Sequence, residues 1–321
     1  MNEFTSWLRS LGLHPGTVLP DGKWRRCSTE EHPRKKNGSY KLAPDGRIGF
    51  AQNWATMSDA ATWRDDREAS VPAFDIGAFR RAKEDAEREK RAAIAEAAEF
   101  YRSCDPLRGG HPYLESHGLD MRGCLGLRVD RDGWLVVPAW KGRTLTSVQR
   151  ISPAGDKRFW PGAPISGTQY TIRAGAPNEF TVFCDGLATG LACIAALLTK
   201  NISARGIVLW NAGNLAATEI RPLGWAVIAA DNDHETFGRI GKNPGLDAAN
   251  QVATRIGAGV AYPTGIRGTD FADLKTERMA ERLAKKLPHQ TRASIERSLD
   301  GEIAGILRKA AKFVMRTQGA V

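Results

Sequence analysis

The sequence has few cysteines, and none of them has the spacing of a zinc site or a disulfide framework. The five cysteines are scattered along the chain as Cys27, Cys104, Cys124, Cys184 and Cys193, with no Cys-x-x-Cys pair. Cys27 and His32 are two possible zinc ligands, but the neighbouring sequence offers no third or fourth. We therefore expect reduced cysteines, no zinc and a cytoplasmic protein.

Long hydrophobic runs are also missing. No segment approaches the roughly 18 uninterrupted apolar residues of a membrane-spanning helix. The first residues, MNEFTSWLRSLGLHPG, lack the basic flank and apolar stretch of a secretory signal peptide. Without such a segment or signal peptide, we expect no membrane partner. A Walker A sequence, GxxxxGK[ST], is absent as well, so we expect no helicase motor in this chain.

What the chain does have is an excess of positive charge. Lysine and arginine number 46 against 36 acidic residues, a formal net charge of +10 for 321 residues. Hydrophobic residues make up 42% of the sequence, which is ordinary for a globular protein of about two domains. A basic balance of this size favours polyanionic partners, and nucleic acid first among them.

Composition divides the chain into five segments. Residues 1–70 have short strand-like pieces separated by turn signals, which predicts a small β-rich module. Residues 71–104 carry acidic and basic residues three and four apart, which predicts a charged helical linker. The remaining segments are a small antiparallel β subdomain at 105–175, an α/β domain at 176–275 and a basic helical tail at 276–321.

Within residues 176–275, short apolar strands alternate with helices. This pattern predicts a parallel sheet with helices on both faces. Acidic residues follow three of the predicted strands: Asp185, then Asp231 and Asp233, then Asp270 and Asp273. Because parallel strands end at one edge of their sheet, we expect these carboxylates to lie close together. Crowded carboxylates repel one another, and Mg²⁺ or Mn²⁺ bound by oxygen ligands relieves that repulsion.

These motifs resemble a known domain. Phe183-Cys184-Asp185-Gly186-Leu187, Ala230-Asp231-Asn232-Asp233 and Gly268-Thr269-Asp270-Phe271-Ala272-Asp273 resemble the Toprim domain of phage, plasmid and prophage primases. Upstream, His111-Pro112-Tyr113-Leu114 and Gly155-Asp156-Lys157-Arg158-Phe159 resemble the subdomain that precedes Toprim in those enzymes. The resemblance covers roughly residues 105–275. It implies catalytic roles for Asp185, Asp231 and Asp233, and metal binding by these three together with Asp270 and Asp273.

Two departures from the family pattern stand out. The first Toprim carboxylate is normally Glu, and here it is the shorter Asp185. Many primases carry an N-terminal zinc module, and residues 1–70 lack its ligands. The resemblance also implies a basic surface for nucleic acid and nucleotide phosphates, for which the candidates are Gln149, Arg150, Lys157 and Arg158. In the N-terminal module, Lys23, Arg25 and Arg26 lie near Trp24 and Tyr40, a mixture typical of single-strand binding.

The resulting hypothesis is a DNA primase that makes short RNA primers from nucleoside triphosphates on single-stranded DNA. Its expected partners are the template, the triphosphates and a separate replicative helicase. Two alternatives stay open. The first is a Toprim nuclease, because the same acidic site serves phosphodiester hydrolysis. The second is a non-catalytic DNA-binding adaptor of the replisome, in which Asp185 marks a decayed site.

Overall fold

The computed structural model describes residues 2–65, 76–174, 180–219, 222, 224–241, 243–285 and 290–314. The chain separates into two compact units, Met1–Glu84 with Glu235–Lys242, and Asp85–His234 with Asn243–Val321. The predicted start of the linker at residue 71 and the predicted boundary at residues 175 and 176 lie outside the described residues. None of the helices in the described ranges combines the length and apolar character of a bilayer span.

Residues 2–65 of the first unit form an antiparallel sheet with one helix, and the unit also includes Glu235–Lys242 from later in the chain. The elements of residues 2–65 are α1 (Asn2–Ser10), β1 (Leu13–His14), β2 (Arg25–Thr29), β3 (Gly38–Leu42), β4 (Ile48–Asn53) and β5 (Ala61–Arg64), and the strands pair in chain order. Phe4 and Leu8 of α1 are fully buried against one face of the sheet, together with Leu42 and the thiol-bearing Cys27. The strands agree with the predicted β-rich module. The helix was not predicted, and it supplies much of the core.

The second unit begins with a long helix and an antiparallel sheet. The helix α2 (Ile76–Ser103) spans the boundary between the units, and pairs such as Asp85–Arg88, at 2.7 Å, stabilise its exposed surface. The elements that follow are β6 (Asp105–Pro106), α3 (Pro112–Ser116), β7 (Arg128–Val129), β8 (Leu135–Lys141), β9 (Thr144–Ile151) and β10 (Lys157–Phe159). The sheet order β10-β9-β8-β7-β6 makes β10 an edge strand.

The last part of the chain forms a mixed sheet between helices. Its elements are β11 (Tyr170–Ala174), β12 (Phe180–Cys184), α4 (Leu187–Thr199), β13 (Ala204–Val208), α5 (Ala212–Ala217), β14 (Gly224–Ala229), α6 (His234–Ile240), α7 (Pro244–Ile256), β15 (Gly259–Ala261), α8 (Phe271–Ala284), α9 (Arg292–Ala310) and β16 (Lys312–Val314). Strands β13, β12, β14 and β15 are parallel and adjacent in that order.

Helices cover both faces of the parallel strands. Residues of β12 point alternately to two hydrophobic clusters. Val182 packs with residues of α4, α8 and α9 in the larger one. Phe183 packs with α5 and α7 in the smaller one. Every residue of β12 is buried, which is why apolar residues predominate in this strand; its polar residue, Thr181, accepts from Arg205 Nε at 3.0 Å.

The sheet differs from the predicted parallel one at two places. β11 is antiparallel to β13, and β16 is antiparallel to β14. Because β15 pairs only with Val227–Ala229, the first residues of β14 keep a free edge, and β16 binds there. The predicted helical tail at 276–321 therefore includes a strand, and α8 begins before it.

The basic residues of α8 are largely occupied by acidic neighbours. Arg278 pairs with Glu281 at 2.9 Å, and Arg282 pairs with Glu302 at 2.8 Å. Lys275 is buried and lies 3.1 Å from the buried carboxylate of Asp300. The Lys275 and Arg282 pairs join α8 to α9, whereas the Arg278 pair lies within α8. Part of the positive charge in this segment is therefore used in the contact between the two helices.

Candidate active site

The order of the parallel strands places the acidic residues at a specific point of the sheet. β12 comes first in the chain and has β13 on one side and β14 on the other. After β12 the chain first forms β13 on one side and later forms β14 on the other side. A crevice opens at the carboxyl ends of the strands where the direction of these connections reverses. Cys184 is in register with Ala229, so Asp185 and Asp231 follow neighbouring strands at this switch point.

Hydrogen bonds hold the loop after β14 in place. The Asn232 backbone N–H donates to the Thr269 carbonyl at 2.8 Å, and its side chain donates to the Pro263 carbonyl at 3.0 Å. Asn243, the residue that caps α7, donates to Asn232 Oδ1 at 3.0 Å. A Cβ at Gly245 would lie 2.8 Å from the Asp231 carbonyl oxygen. This position therefore needs glycine, because α7 begins directly against the loop.

Asp270 and Asp273 use their oxygens to begin α8. They form a reciprocal capping box in which Asp270 Oδ1 accepts from two N–H groups of the first turn. Thr189 of α4 donates to Asp270 Oδ2 at 3.0 Å, and Asp273 Oδ2 accepts from the Thr269 N–H at 2.9 Å. These two carboxylates thus have a structural role that sequence reasoning did not assign to them.

Burial and neighbouring negative charge raise the pKa of both carboxylates at the switch point. Burial, followed by the charges of Asp185 and Asp270, raises the pKa of Asp231 from 3.8 to about 9. Burial and the charge of Asp270 raise the pKa of Asp185 to about 6. Near neutral pH and without a bound cation, Asp231 therefore holds a proton and Asp185 is ionised.

The donor set fits a hard divalent cation. Asp231 Oδ1 is enclosed and has no hydrogen-bond partner, a costly state for a buried oxygen that a cation or water would relieve. Asp233 adds a further carboxylate whose charge acts on Asp231. Oxygen ligands of this kind suit Mg²⁺ or Mn²⁺. Within the described ranges, no three His, Cys, Asp or Glu side chains already stand gathered for a metal ion.

A lysine from the neighbouring sheet faces this acidic site. Lys157 begins the edge strand β10, and its Nζ lies 5.9 Å from the ring centroid of Tyr113. Burial lowers the pKa of Lys157, but Tyr113 and the charge of Asp270 outweigh burial, and the pKa is raised. The charge of Asp185 acts in the same direction. Lys157 is thus a cation within electrostatic reach of the acids.

The structure places the other predicted phosphate-binding residues differently. Gln149 is buried in β9. Arg150 lies 2.6 Å from the buried carboxylate of Asp130, with its guanidinium 4.9 Å from the Trp134 ring centroid. Arg158 lies over the same ring at 5.2 Å and is exposed. Of these four residues, Lys157 alone acts on the pKa of Asp185, and Arg150 has protein partners of its own.

We compared the chain with known proteins by sequence and by structure. No protein-family model matches it, and no curated protein matches it. One solved chain comes from a complex of the bacteriophage T7 lagging-strand DNA polymerase with primase domains of two gp4 subunits, an RNA/DNA hybrid and dTTP. The two chains share 15% identity with a TM-score of 0.37, over 56% of this chain and 90% of that one. A likeness this weak supports no assignment.

One face of the sheet in the first unit carries cations and aromatic rings. Arg26 stands 5.9 Å from the Trp54 ring centroid, and Lys41 stands 5.2 Å from that of Trp24. Lys41 is also 4.7 Å from the Phe50 ring centroid. Trp24 and Trp54 are 52% and 45% exposed. We call these five residues the aromatic face.

The aromatic face only partly matches the sequence prediction. Arg26 and Trp24 belong to it and Lys23 is exposed, whereas both guanidinium ends of Arg25 bind Asp21 at 2.7 Å. Tyr40 is buried in the core of the unit. Sequence reasoning missed Lys41 and Trp54. The signal for Lys41 was the alternation along β3, in which Tyr40 and Leu42 point to the core and Lys41 does not.

Proposed function

We propose that this protein is a DNA primase, a metal-dependent enzyme that joins nucleoside triphosphates into short RNA primers on single-stranded DNA. The observation that carries the proposal is the enclosed, unpartnered oxygen of Asp231 beside Asp185, at the switch point of a parallel sheet. Substrates of open α/β sheets bind at that point. Coupled acids with raised pKa values in such a crevice are typical of catalytic sites.

The acids divide into two groups by their bonding. Asp231 and Asp233 would hold the divalent cation, and Asp185 would complete the site. Asp270 and Asp273 would act from outside it, because their oxygens already bind the first turn of α8. A bound Mg²⁺ or Mn²⁺ would lower the pKa of the attacking hydroxyl and offset charge on the leaving pyrophosphate.

The chain's own residues supply the remaining requirements. In primer extension, a ribose 3′ oxygen bonds to the α-phosphorus of the next triphosphate, and the bond from that phosphorus to pyrophosphate breaks. The proton of the hydroxyl needs an acceptor, and Asp185, with a pKa of about 6, is ionised at neutral pH. Lys157 would pair with the triphosphate, since it is the cation whose charge acts on Asp185 and Asp270.

Template binding is proposed for the aromatic face of the first unit. Exposed tryptophans stack on unpaired bases of any sequence, and nearby cations bind the phosphates. Such binding weakens as salt rises, because phosphate contacts release counterions. This proposal needs no zinc.

The deciding experiment is primer synthesis from labelled ribonucleoside triphosphates on single-stranded DNA, with Mg²⁺ and Mn²⁺ compared. We expect the Asp231→Asn/Asp233→Asn double variant to lose at least about 100-fold of the wild-type rate, the scale for removing transition-state charge stabilisation. Asp120→Asn, an exposed aspartate outside the site, is the matched control and should remain active. Full activity of the double variant would refute the assignment.

The same preparation tests the alternatives. Nicking or degradation of DNA without triphosphates would identify a nuclease. Salt-sensitive DNA binding with neither synthesis nor cleavage would identify an adaptor. Circular dichroism of each variant shows whether a lost activity reflects a lost fold.

A further inference from the structure

Tyr113 has a buried hydroxyl beside the Lys157 ammonium. The residue is 2% exposed, and its Oη is enclosed, with no hydrogen bond of ordinary geometry and with the Lys157 ammonium as an interacting neighbour. A phenylalanine would fill the same space and avoid the cost of an unpaired polar atom. Such an atom in a native fold calls for an explanation.

The backbone around Tyr113 is held firmly. His111 caps α3, and its Nδ1 accepts from the Tyr113 backbone N–H at 3.2 Å while Nε2 donates to the Gly133 carbonyl at 3.0 Å. His117 Nδ1 donates to the Tyr113 carbonyl at 2.8 Å, and the two rings lie 4.8 Å apart. These contacts fix the ring, so the hydroxyl has a defined place rather than a choice of partners.

The hydroxyl lies in the electrostatic environment of the acidic site. Lys157 approaches the Tyr113 ring, and burial raises the pKa of Tyr113 while Lys157 lowers it and Asp270 raises it. Lys157 lies on an edge strand, and long lysine side chains lose much freedom when held in one position. A fixed acceptor beside the ammonium group would reduce that freedom before substrate arrives.

We propose that Tyr113 is a positioning residue: its ring and its hydroxyl oxygen hold the Lys157 ammonium toward the Asp185 and Asp270 carboxylates, where it pairs with the phosphates of an incoming nucleoside triphosphate. The phosphate role rests on the proposed function. The contact between Tyr113 and Lys157 does not, and it can be tested without catalysis.

The first test measures the chemical reactivity of Lys157. Wild-type protein and Tyr113→Phe, which keeps the ring, are treated with acetic anhydride, and acetylation of each lysine is followed by mass spectrometry. We expect Lys157 to react about threefold faster or more in the variant, the scale of one lost hydrogen bond. The exposed Lys141 is the internal control and should react at one rate in both proteins. An unchanged rate at Lys157 would overturn the proposal.

The second test is a double-mutant cycle on ATP binding with Mg²⁺, measured by calorimetry. We expect Tyr113→Phe to weaken binding by about 3- to 10-fold alone and to have no effect when combined with Lys157→Met. If the two substitutions weaken ATP binding independently, so that the double variant shows the product of the two single effects, the positioning role is refuted. In primer synthesis, KM for the triphosphate should rise with kcat little changed.

The outcomes separate the two proposals. Faster Lys157 acetylation without any primer synthesis would support the positioning role and reject the primase function. Normal primer synthesis with unchanged acetylation and no coupling in the cycle would do the reverse.

Discussion

Replacing Asp231 by Asn should make the cation-free protein more stable while it abolishes activity. Folding holds Asp231 protonated at pH values where the unfolded chain has it ionised, since its pKa rises from 3.8 to about 9. The folded state therefore binds more protons, and stability falls as pH rises from about 4 to about 9. Asparagine has no charge to protonate, so the variant avoids this cost.

The magnitude follows from the pKa shifts. For Asp185, the rise from 3.8 to about 6 corresponds to about 3 kcal/mol at about 1.36 kcal/mol per pKa unit. Because the shift of Asp231 is larger than that of Asp185, Asp231→Asn should gain at least about 3 kcal/mol at pH 8, which raises Tm by at least about 5 °C for a unit of this size. At pH 5, about one pH unit above 3.8, the gain should be about a third as large, because the penalty accumulates with each pH unit between the two pKa values. For Asp185→Asn, the gain in the free energy of unfolding should stop increasing with pH above about pH 6.

The assay is urea and thermal unfolding in EDTA at pH 5 and pH 8, with Asp120→Asn as the control, expected within about 0.5 kcal/mol of wild type. Adding Mg²⁺ should stabilise the wild type by mass action and leave Asp231→Asn unchanged. A variant less stable than wild type at pH 8, or equally stabilised at both pH values, would refute the reasoning. Stabilisation of both proteins by Mg²⁺ would show that the ion binds elsewhere.

Three further expectations concern other parts of the chain. Asp300→Ala leaves the buried Lys275 ammonium without its closest partner and should cost about 3 kcal/mol in urea unfolding. Arg122→Ala, in an exposed pair, should cost less than about 1 kcal/mol. Equal costs for the two variants would contradict a special role for the buried pair. Gly245→Ala places a methyl group against the Asp231 carbonyl and should lower primer synthesis by about tenfold, whereas Gly238→Ala, which has open space, should not. Trp54→Ala should weaken binding of single-stranded DNA by at least about fivefold in fluorescence anisotropy, and Trp63→Ala at the core of the same unit serves as a folding control; unchanged affinity for Trp54→Ala would remove the aromatic face from the proposal.

Local patterns in the sequence predicted much of the mixed sheet. The short apolar strands and helices expected to alternate within residues 176–275 are present, among them β12 (Phe180–Cys184) and α7 (Pro244–Ile256). Both have strong local signals, a fully buried strand in one case and an Asn243 cap with a left-handed Gly257 in the other. The approach of Asp185 to Asp231 followed from the rule that parallel strands share an edge.

Features that depend on distant partners were missed. β16 is helical by pattern and becomes a strand only because β14 offers it an open edge. Tyr113 carries no local sign that Lys157, from another strand, approaches its ring. One local signal was overlooked: the Asp270-x-x-Asp273 spacing is that of a capping box, which explains both carboxylates without a metal.

The pairing of β14 with β16 has a consequence for the life of this protein in the cell. β14 leads directly to Asp231, and its outer edge is completed by residues that the ribosome makes more than 80 positions later, since Gly224 is in register with Val314. A nascent or proteolytically shortened chain that lacks Lys312–Val314 would expose peptide groups ready to pair with another molecule. Removing this short strand should therefore cause self-association before it causes unfolding. During translation, the outer edge of β14 is completed only after Lys312–Val314 has been synthesised.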